Sequence, residues 1–213
     1  MPRAATAQRA GRILVFAKAP VPGRVKTRLA PRLSPAACAA LHTRLIDHSL
    51  AQAVAARIGP VELWSDAPDH PEMTALARRH GAVLRRQRGA DLGARMADAL
   101  QRVLNEGASF ALLIGSDCPA LDAAVLASAA GALREREWVF VPTEDGGYAL
   151  VGCRRMQAAL FQAIDWGTER VMAQTRARLA SLGLGARELP PLWDVDRPAD
   201  LERLAALGFP PPA

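Results

Sequence analysis

Aromatic side chains, cysteines and long apolar runs are all scarce in this chain. Only 5% of its 213 residues are aromatic, although its net charge is +6. Basic residues without interleaved rings argue against a nucleic-acid-binding surface. Three distant cysteines, Cys38, Cys118 and Cys153, argue against a disulfide framework and for a reducing compartment. No run reaches the ~18 apolar residues of a membrane span, so we expect none.

The first eleven residues, MPRAATAQRAG, lack the apolar middle of a signal peptide. We therefore expect a basic arm over residues 1–11, one domain over residues 12–213, and a cytoplasmic protein. Half of the residues are apolar, and no repeat or long linker divides them, so a single sizeable core is possible.

Lysine is the scarcest charged residue. Of 27 basic residues only two are lysines, Lys18 and Lys26, and both lie in one loop, AKAPVPGRVKTRL, residues 17–29. A lysine ammonium is a compact, mobile charge, whereas an arginine is a planar fork. The pairing therefore favours a functional need for ammonium groups in this loop, with chance as the alternative.

Short apolar runs alternate with helix-like segments along the chain. Such alternation is typical of an α/β domain in which a mostly parallel central sheet has helices on both faces. The predicted strands cover residues 12–17, 61–65, 82–84, 110–115, 138–141 and 148–151. The predicted helices cover residues 35–57, 71–80, 91–106, 122–134, 168–182 and 198–207, with Ser34, Asp122 and Thr168 as N-caps.

Ligands of such sheets bind outside the carboxyl ends of the strands, so the residues after each strand are candidates. After the first strand, Arg24, Lys26 and Arg28 occur at every second position and share one face if the segment is extended. Convergent cations suit a polyphosphate, and a basic solvated turn is the alternative. Neither a dinucleotide-binding nor a P-loop glycine pattern is present.

Carboxylates follow the later strands. Asp117, in GSDCPAL, is suited to bind Mg²⁺ or Mn²⁺, with a turn or capping role as the alternative. Asp194 and Asp196 point to one side of an extended segment and would complete the same metal site. Asp196 alternatively caps the helix that follows it.

A hairpin is predicted over PTEDGGYALVG, residues 142–152, because Asp-Gly lies between two apolar runs. Gly146 and Gly147 permit a sharp turn or a close approach of a ligand to the backbone. We expect an active-site hairpin that carries Glu144, Asp145 and Tyr148.

Five motifs occur in the order seen in a family of bacterial GT-A-like glycosyltransferases of unknown function, which the chain resembles from about residue 12 to 207. They are LVFAKAPVPGRVKTRLAP, DLGARM, GSDCPAL, EDGGYALVG and WDVDRPADL. That family is similar to the nucleotidyltransferases that make molybdenum-cofactor dinucleotides and to phospholactate guanylyltransferase. The resemblance implies a single-domain, Rossmann-like GT-A fold of the nucleotide-diphospho-sugar transferase type.

The resemblance also implies roles for residues. Asp117 would bind the metal, and four loop cations would contact nucleotide phosphates, namely Lys18, Arg24, Lys26 and Arg28. The segment GADLGARM lies where such folds meet the base and ribose, which makes Asp91, Gly93 and Arg95 nucleotide-binding candidates. An ordinary N-capped helix is the alternative there.

The resulting hypothesis is a metal-dependent transferase that uses a nucleotide-sugar donor, Mg²⁺ or Mn²⁺, and a small-molecule acceptor. One alternative is a nucleotidyltransferase that joins a nucleoside triphosphate to a phosphorylated acceptor and releases pyrophosphate. Another is a nucleotide-binding protein without turnover. Gly-Ser-Asp, in place of the Asp-x-Asp common in glycosyltransferases, leaves both transferase reactions open.

Roles in catalysis follow from this hypothesis. The metal and cations such as Lys26 stabilise charge on the phosphates. In a glycosyl transfer, Asp145 or Glu144 acts as the base on the acceptor. The acceptor itself is expected to lie beside the hairpin residues Gly146, Gly147 and Tyr148.

Overall fold

A computed structural model describes residues 10–209, in which seven strands form one sheet. The strands are β1 (Arg12–Ala17), β2 (Val61–Ser65), β3 (Val83–Arg86), β4 (Ala111–Gly115), β5 (Trp138–Pro142), β6 (Tyr148–Cys153) and β7 (Ala186–Glu188). The helices are α1 (Pro35–Ala55), α2 (Pro71–His80), α3 (Leu92–Asn105), α4 (Ala123–Ala132), α5 (Val171–Ser181) and α6 (Asp200–Ala206). Two 3-10 turns cover Thr27–Leu29 and Ala158–Phe161.

The strand order is β3-β2-β1-β4-β6-β5-β7. Strands β1 to β4 are parallel, as are β5 and β7, whereas β6 is antiparallel to its neighbours β4 and β5. β6 reverses because only a tight turn joins it to β5, and a parallel pair would need a long crossover. The predicted α/β class with a mostly parallel sheet is confirmed.

Side chains of each central strand enter two cores alternately. In β1, Ile13 and Val15 belong to the core under α1, α2 and α4, whereas Leu14 and Phe16 belong to the core under α3 and α5. Successive side chains point to opposite faces of a sheet, so a strand covered on both faces must be apolar throughout. This explains the unbroken apolar runs of the sequence.

A third, smaller core joins α6 to the first half of α1. It also contains one residue of the loop after β1 and one of the segment before α6. Its buried members are Leu29, Cys38, Leu41, Leu45, Val195, Leu201 and Leu204. This core holds two segments that are distant in sequence beside each other at one edge of the sheet.

The predicted N-caps Ser34 and Asp122 are confirmed, and Asp91 caps α3 as in the alternative interpretation of its segment. The side chains of Ser34, Asp91 and Asp122 each accept a hydrogen bond from a backbone N–H in the first turn of α1, α3 and α4. Thr168 was a wrong prediction, because α5 begins at Val171 and its N-cap residue makes no side-chain bond.

Two edge strands depart from the apolar pattern. β3 extends to Arg86 and not only over residues 82–84, because an edge strand tolerates exposed arginines. The sequence does not predict β7, which is the polar triplet Ala-Arg-Glu at the opposite edge. The predicted arm, residues 1–11, lies outside the described residues except for its last two.

No helix within residues 10–209 is long and apolar enough to cross a bilayer.

The third core generates a stability prediction. Leu45 is fully buried there, so Leu45→Ala should lower the free energy of unfolding by about 2–5 kcal/mol, through lost burial and a residual cavity. Val54 lies on the same helix with 44% of its surface exposed, and Val54→Ala is the matched control. Urea denaturation of both variants measures the difference, and equal effects would contradict a packed third core.

Candidate active site

Four segments that carry predicted site residues meet at one edge of the sheet. They follow β1, β4, β5 and β7, and these strands all run in the same direction. The strand order reverses between β1 and β4, because β2 and β3 lie on one side of β1 and the later strands on the other. Open α/β sheets bind ligands in the crevice at such a switch point.

An ion pair between Lys26 and Asp117 lies at this crevice. Lys26 Nζ is 2.7 Å from Asp117 Oδ1 and donates a 2.6 Å hydrogen bond to the carbonyl oxygen of Val195. The backbone N–H of Val195 in turn donates to the carbonyl oxygen of Asp117 at 2.8 Å. These bonds join the loop after β1, the tip of β4 and the segment before α6.

The two partners differ in their exposure. Only 4% of the Lys26 side chain is exposed, compared with 48% of the Asp117 side chain. Asp117 Oδ1 is buried against the lysine, so the exposed part of the carboxylate is on the side of Oδ2. One oxygen of Asp117 is therefore free to bind a ligand while the other is held by the protein.

The loop after β1 is not extended, so the condition under which its three cations would share one face is not met. Lys26 has a left-handed backbone, with φ of 51°, and precedes the 3-10 turn Thr27–Leu29. The turn directs Lys26 inward, while Arg24 and Arg28 stay exposed. A left-handed residue other than glycine is uncommon, and the buried contacts of Lys26 hold it here.

The four loop cations fall into two pairs. Lys26 and Arg28 are bound to carboxylates, Asp117 and Asp196 respectively. The side chains of Lys18 and Arg24 are exposed and have no ion-pair or hydrogen-bond partner within residues 10–209. The second pair is therefore available for a phosphate without the loss of an existing bond.

Two residues that sequence reasoning missed support this loop. His42 is 5% exposed; its Nε2 lies 3.1 Å from the carbonyl oxygen of Lys18, and its Nδ1 lies 3.7 Å from Asp117 Oδ1. Asp66, after β2, accepts a 2.9 Å hydrogen bond from the backbone of Ala19. No local pattern marks either residue, because their roles arise only when β1, β2 and α1 are assembled.

The carboxylates of the crevice affect each other's ionisation. Burial, together with repulsion from the nearby Asp145 and Asp117 carboxylates, raises the pKa of Asp194 to about 6. Burial also acts to raise the pKa of Asp117, but Lys26 and His42 outweigh it and hold that pKa well below its usual value. Asp117 is thus ionised at neutral pH, whereas burial and acidic neighbours oppose the negative charge of Asp194.

This arrangement fits a divalent cation that is shared with a ligand. No three His, Cys, Asp or Glu side chains within residues 10–209 are placed to enclose a metal ion. Mg²⁺, however, is usually held by one or two carboxylates together with substrate phosphates and water. Asp117 and the under-neutralised Asp194 match that donor set, whereas Asp196 is paired with Arg28 and its metal role remains a prediction.

Asp196 does not cap α6. The helix begins at Asp200, whose carboxylate accepts hydrogen bonds from the backbone N–H groups of Asp196 and Arg197 at 2.9 and 2.6 Å. The alternative interpretation of Asp196 as an N-cap was therefore wrong.

The predicted hairpin is confirmed, and its two carboxylates differ. Asp145 Oδ1 accepts hydrogen bonds from Thr143 Oγ1 at 2.5 Å and from the N–H of Gly147 at 3.0 Å, and its Oδ2 has no partner within residues 10–209. Glu144 instead accepts two bonds from Arg203, at 2.8 and 3.1 Å. Asp145 is thus the freer of the two predicted catalytic carboxylates.

The base of the hairpin is tightly packed. Gly146 has φ of 91°, and a Cβ atom there would lie 2.1 Å from the carbonyl oxygen of Glu169, so only glycine fits. The Tyr148 ring packs edge-on against Phe140 and Trp166, with centroids 5.3 and 6.3 Å away. Its hydroxyl is buried without a partner among the described residues, which is costly unless a ligand supplies one.

The DLGARM segment adjoins the hairpin through Trp166. Asp91 caps α3, and Gly93 lies so close to Trp166 that a Cβ atom would be 2.6 Å from the indole Nε1. Arg95 Nε donates to a carbonyl oxygen of the preceding loop at 3.2 Å. These contacts account for the local structure, and the predicted nucleotide contacts of the three residues remain predictions.

The sequence has recognisable relatives. The family model described as "Uncharacterized protein conserved in bacteria (DUF2064)" matches residues 49–168. A phosphoenolpyruvate guanylyltransferase from Sphaerobacter thermophilus is 34% identical over 184 residues, which cover 84% of this chain and 86% of that protein. A protein of the same name from Chloroflexus aggregans is 32% identical over 187 residues, with 84% and 88% coverage.

A solved structure has the same fold. It comes from Desulfovibrio desulfuricans G20, is described as a nucleotide-diphospho-sugar transferase, and is similar with a TM-score of 0.81 at 26% identity, covering 94% of this chain and 98% of that one. The protein is thus a transferase with a nucleotide-diphospho-sugar transferase fold. It belongs to the DUF2064 family of bacterial proteins, and the family resemblance inferred from the five motifs is confirmed.

The raised pKa of Asp194 generates a pH prediction. Because the folded pKa of about 6 exceeds the ordinary aspartate value of 3.8, the fold loses stability as pH rises between these values. Asp194→Asn removes the titration, so the metal-free variant should exceed the wild type in stability at pH 7.5, by on the order of 1 kcal/mol after allowance for solvent screening.

The two proteins should differ less at pH 4, where Asp194 is protonated in the folded chain and about half protonated in the unfolded chain. Urea denaturation with a chelator at both pH values measures this. A stability difference that is the same at pH 4 and pH 7.5 would show that folding does not raise the pKa of Asp194.

Proposed function

We propose that this transferase is a nucleotidyltransferase, which joins a nucleoside triphosphate to a phosphorylated small molecule and releases pyrophosphate. The observation that carries the proposal is the single strand-tip carboxylate, Asp117, held by Lys26 beside free loop cations at the switch point of the sheet. Two guanylyltransferase relatives that align with 84% of the chain support the same reaction.

The donor would lie with its phosphates along the loop after β1. Lys18 and Arg24 are exposed there and have no partner among the described residues, so they offer positive charge to a highly anionic triphosphate at little cost. Asp117 and Asp194 would hold a divalent cation together with phosphate oxygens. When bound, that cation neutralises charge on the donor phosphates.

The acceptor would lie on the side of the hairpin. The names of the two relatives point to a phosphorylated carboxylic acid as acceptor and to a guanosine nucleotide as donor. The buried hydroxyl of Tyr148 offers a donor that has no partner among the described residues. Such a hydroxyl suits an anionic group of the acceptor.

The reaction needs little covalent help from the protein. A phosphate monoester is largely ionised at neutral pH, so an acceptor oxygen attacks the α-phosphorus of the donor without a general base. One P–O bond forms as the bond to pyrophosphate breaks, and pyrophosphate leaves with the electron pair. Positioning and charge neutralisation by the loop cations are then the main contributions of the protein.

Glycosyl transfer is the second candidate, favoured by one observation. Asp145 is exposed, and one of its carboxylate oxygens beside the crevice has no hydrogen-bond partner in the part of the chain that the structure describes, as a base acting on a hydroxyl acceptor would need. In nucleotidyl transfer to a phosphate this group has no proton to remove. Glycosyl transfer therefore requires Asp145 as a base, whereas nucleotidyl transfer to a phosphate does not.

Product analysis separates the two reactions. The protein is incubated with Mg²⁺, each of the four common nucleoside triphosphates and a set of phosphorylated carboxylic acids, and pyrophosphate is measured. Parallel reactions contain nucleotide sugars and hydroxyl acceptors, and nucleoside diphosphate is measured. Pyrophosphate that forms only when an acceptor is present supports the proposal, whereas nucleoside diphosphate released from a nucleotide sugar would overturn it.

A matched pair of variants tests the site itself. Asp117→Asn should lower kcat/KM for pyrophosphate release by about 10²-fold or more, because a neutral amide holds neither Lys26 nor a divalent cation strongly. Asp122→Asn, five residues on, should be unaffected, since asparagine also caps α4. Equal activities in the two variants would place the chemistry elsewhere.

A further inference from the structure

We propose that Lys26 is the counter-ion of Asp117 in the free protein and gives up this role when a metal–triphosphate complex binds, so that neither metal nor triphosphate binds tightly alone. The inference rests on the proposed function in one respect, that the crevice receives a triphosphate with a divalent cation. In this role, Lys26 makes the protein bind the metal–triphosphate complex in preference to the metal ion or the triphosphate alone.

In the free protein, the charge of Lys26 is already neutralised by contacts with other residues. Its ammonium contacts Asp117 Oδ1 at 2.7 Å and Val195 O at 2.6 Å, with 4% of the side chain exposed. A lysine has three N–H donors, so at most one remains for a phosphate. Full contact with a phosphate therefore requires Lys26 to release one of the two partners.

Asp117 cannot serve an ammonium and a divalent cation equally well. Both would lie within a few ångströms of one carboxylate, and at that distance their repulsion is substantial in a partly buried site. Asp196 is already paired with Arg28, so Asp194 is left as the carboxylate that offsets the added charge. A metal ion that arrives alone therefore competes with Lys26 for Asp117.

A triphosphate removes this competition. Its oxygens give Lys26 a new anionic partner and give the metal ion further ligands. Lys18 and Arg24, which are exposed and unpartnered among the described residues, provide the first contacts for the phosphates. Binding of metal and triphosphate is then mutually reinforcing, and thermodynamic linkage requires the coupling factor to be the same from either side.

The two lysines of the chain provide a matched comparison. Mn²⁺ binding to metal-free protein is measured by electron paramagnetic resonance for the wild type, Lys26→Met and Lys18→Met, with and without inorganic tripolyphosphate. Both variants lose one positive charge from the same loop. Only Lys26→Met removes the group that contacts Asp117.

The two variants should differ in their affinity for Mn²⁺. Lys26→Met should bind Mn²⁺ alone at least about fivefold more tightly than the wild type, and tripolyphosphate should then increase its Mn²⁺ affinity by a correspondingly smaller factor. Lys18→Met should change the affinity for Mn²⁺ alone by less than about twofold. Mn²⁺ binding by folded Lys26→Met that is no tighter than in the wild type would overturn the inference.

A second measurement avoids substitution, since Lys26→Met leaves buried polar groups of Asp117 and Val195 without their partner. Lysine labelled with ¹⁵N at Nζ gives the wild-type protein only two labelled side chains, Lys18 and Lys26. Saturation with Mg²⁺ and tripolyphosphate should move both ammonium resonances. A shift of the Lys18 signal with an unchanged Lys26 signal would show that the ion pair with Asp117 persists, against the inference.

Neither measurement requires turnover, so failure of the inference is separate from failure of the proposed function. Pyrophosphate release combined with unchanged Mn²⁺ affinity in Lys26→Met would retain the nucleotidyltransferase and reject the exchange by Lys26. Tighter Mn²⁺ binding in that variant, without any pyrophosphate, would retain the exchange and reject the reaction.

Discussion

The ion pair between Lys26 and Asp117 is the interaction on which the candidate site depends. It joins the first loop of the chain to the tip of β4, and Val195 extends it to the segment before α6. Removal of one partner of a buried ion pair is costly, because the remaining charge has no compensation. In the free protein the pair therefore acts together with the third core to hold three segments that are far apart in sequence.

The surrounding carboxylates give the pair its chemical significance. Asp194 has a raised pKa because burial and its acidic neighbours oppose its charge, whereas Asp117 stays ionised beside Lys26. The Asp194 carboxylate is thus incompletely neutralised in the crevice, where the proposed phosphates would bring a cation with them. A site of this kind favours a metal–phosphate complex over an uncharged ligand, which fits a transferase that handles nucleotides.

The fold follows closely from the sequence, and the site follows in part. Strands covered on both faces are continuous apolar runs, so β1, β2, β4, β5 and β6 are visible in the sequence, whereas the polar edge strand β7 is not. Asp117 is recognisable because it ends such a run. His42 is not recognisable, because no local sequence pattern distinguishes a functional histidine on the buried face of a helix. The inward direction of the Lys26 side chain is not predictable either, because it depends on tertiary contacts.

Phosphorus NMR of a complete reaction observes directly the bond that the proposed nucleotidyltransferase would form. The reaction contains guanosine triphosphate, Mg²⁺ and a phosphorylated carboxylic acid. The account predicts two coupled resonances from a new unsymmetrical diphosphate, together with an equal amount of pyrophosphate. Accumulation of nucleoside diphosphate and free phosphate, with no coupled pair beyond that of the nucleoside diphosphate, would contradict it.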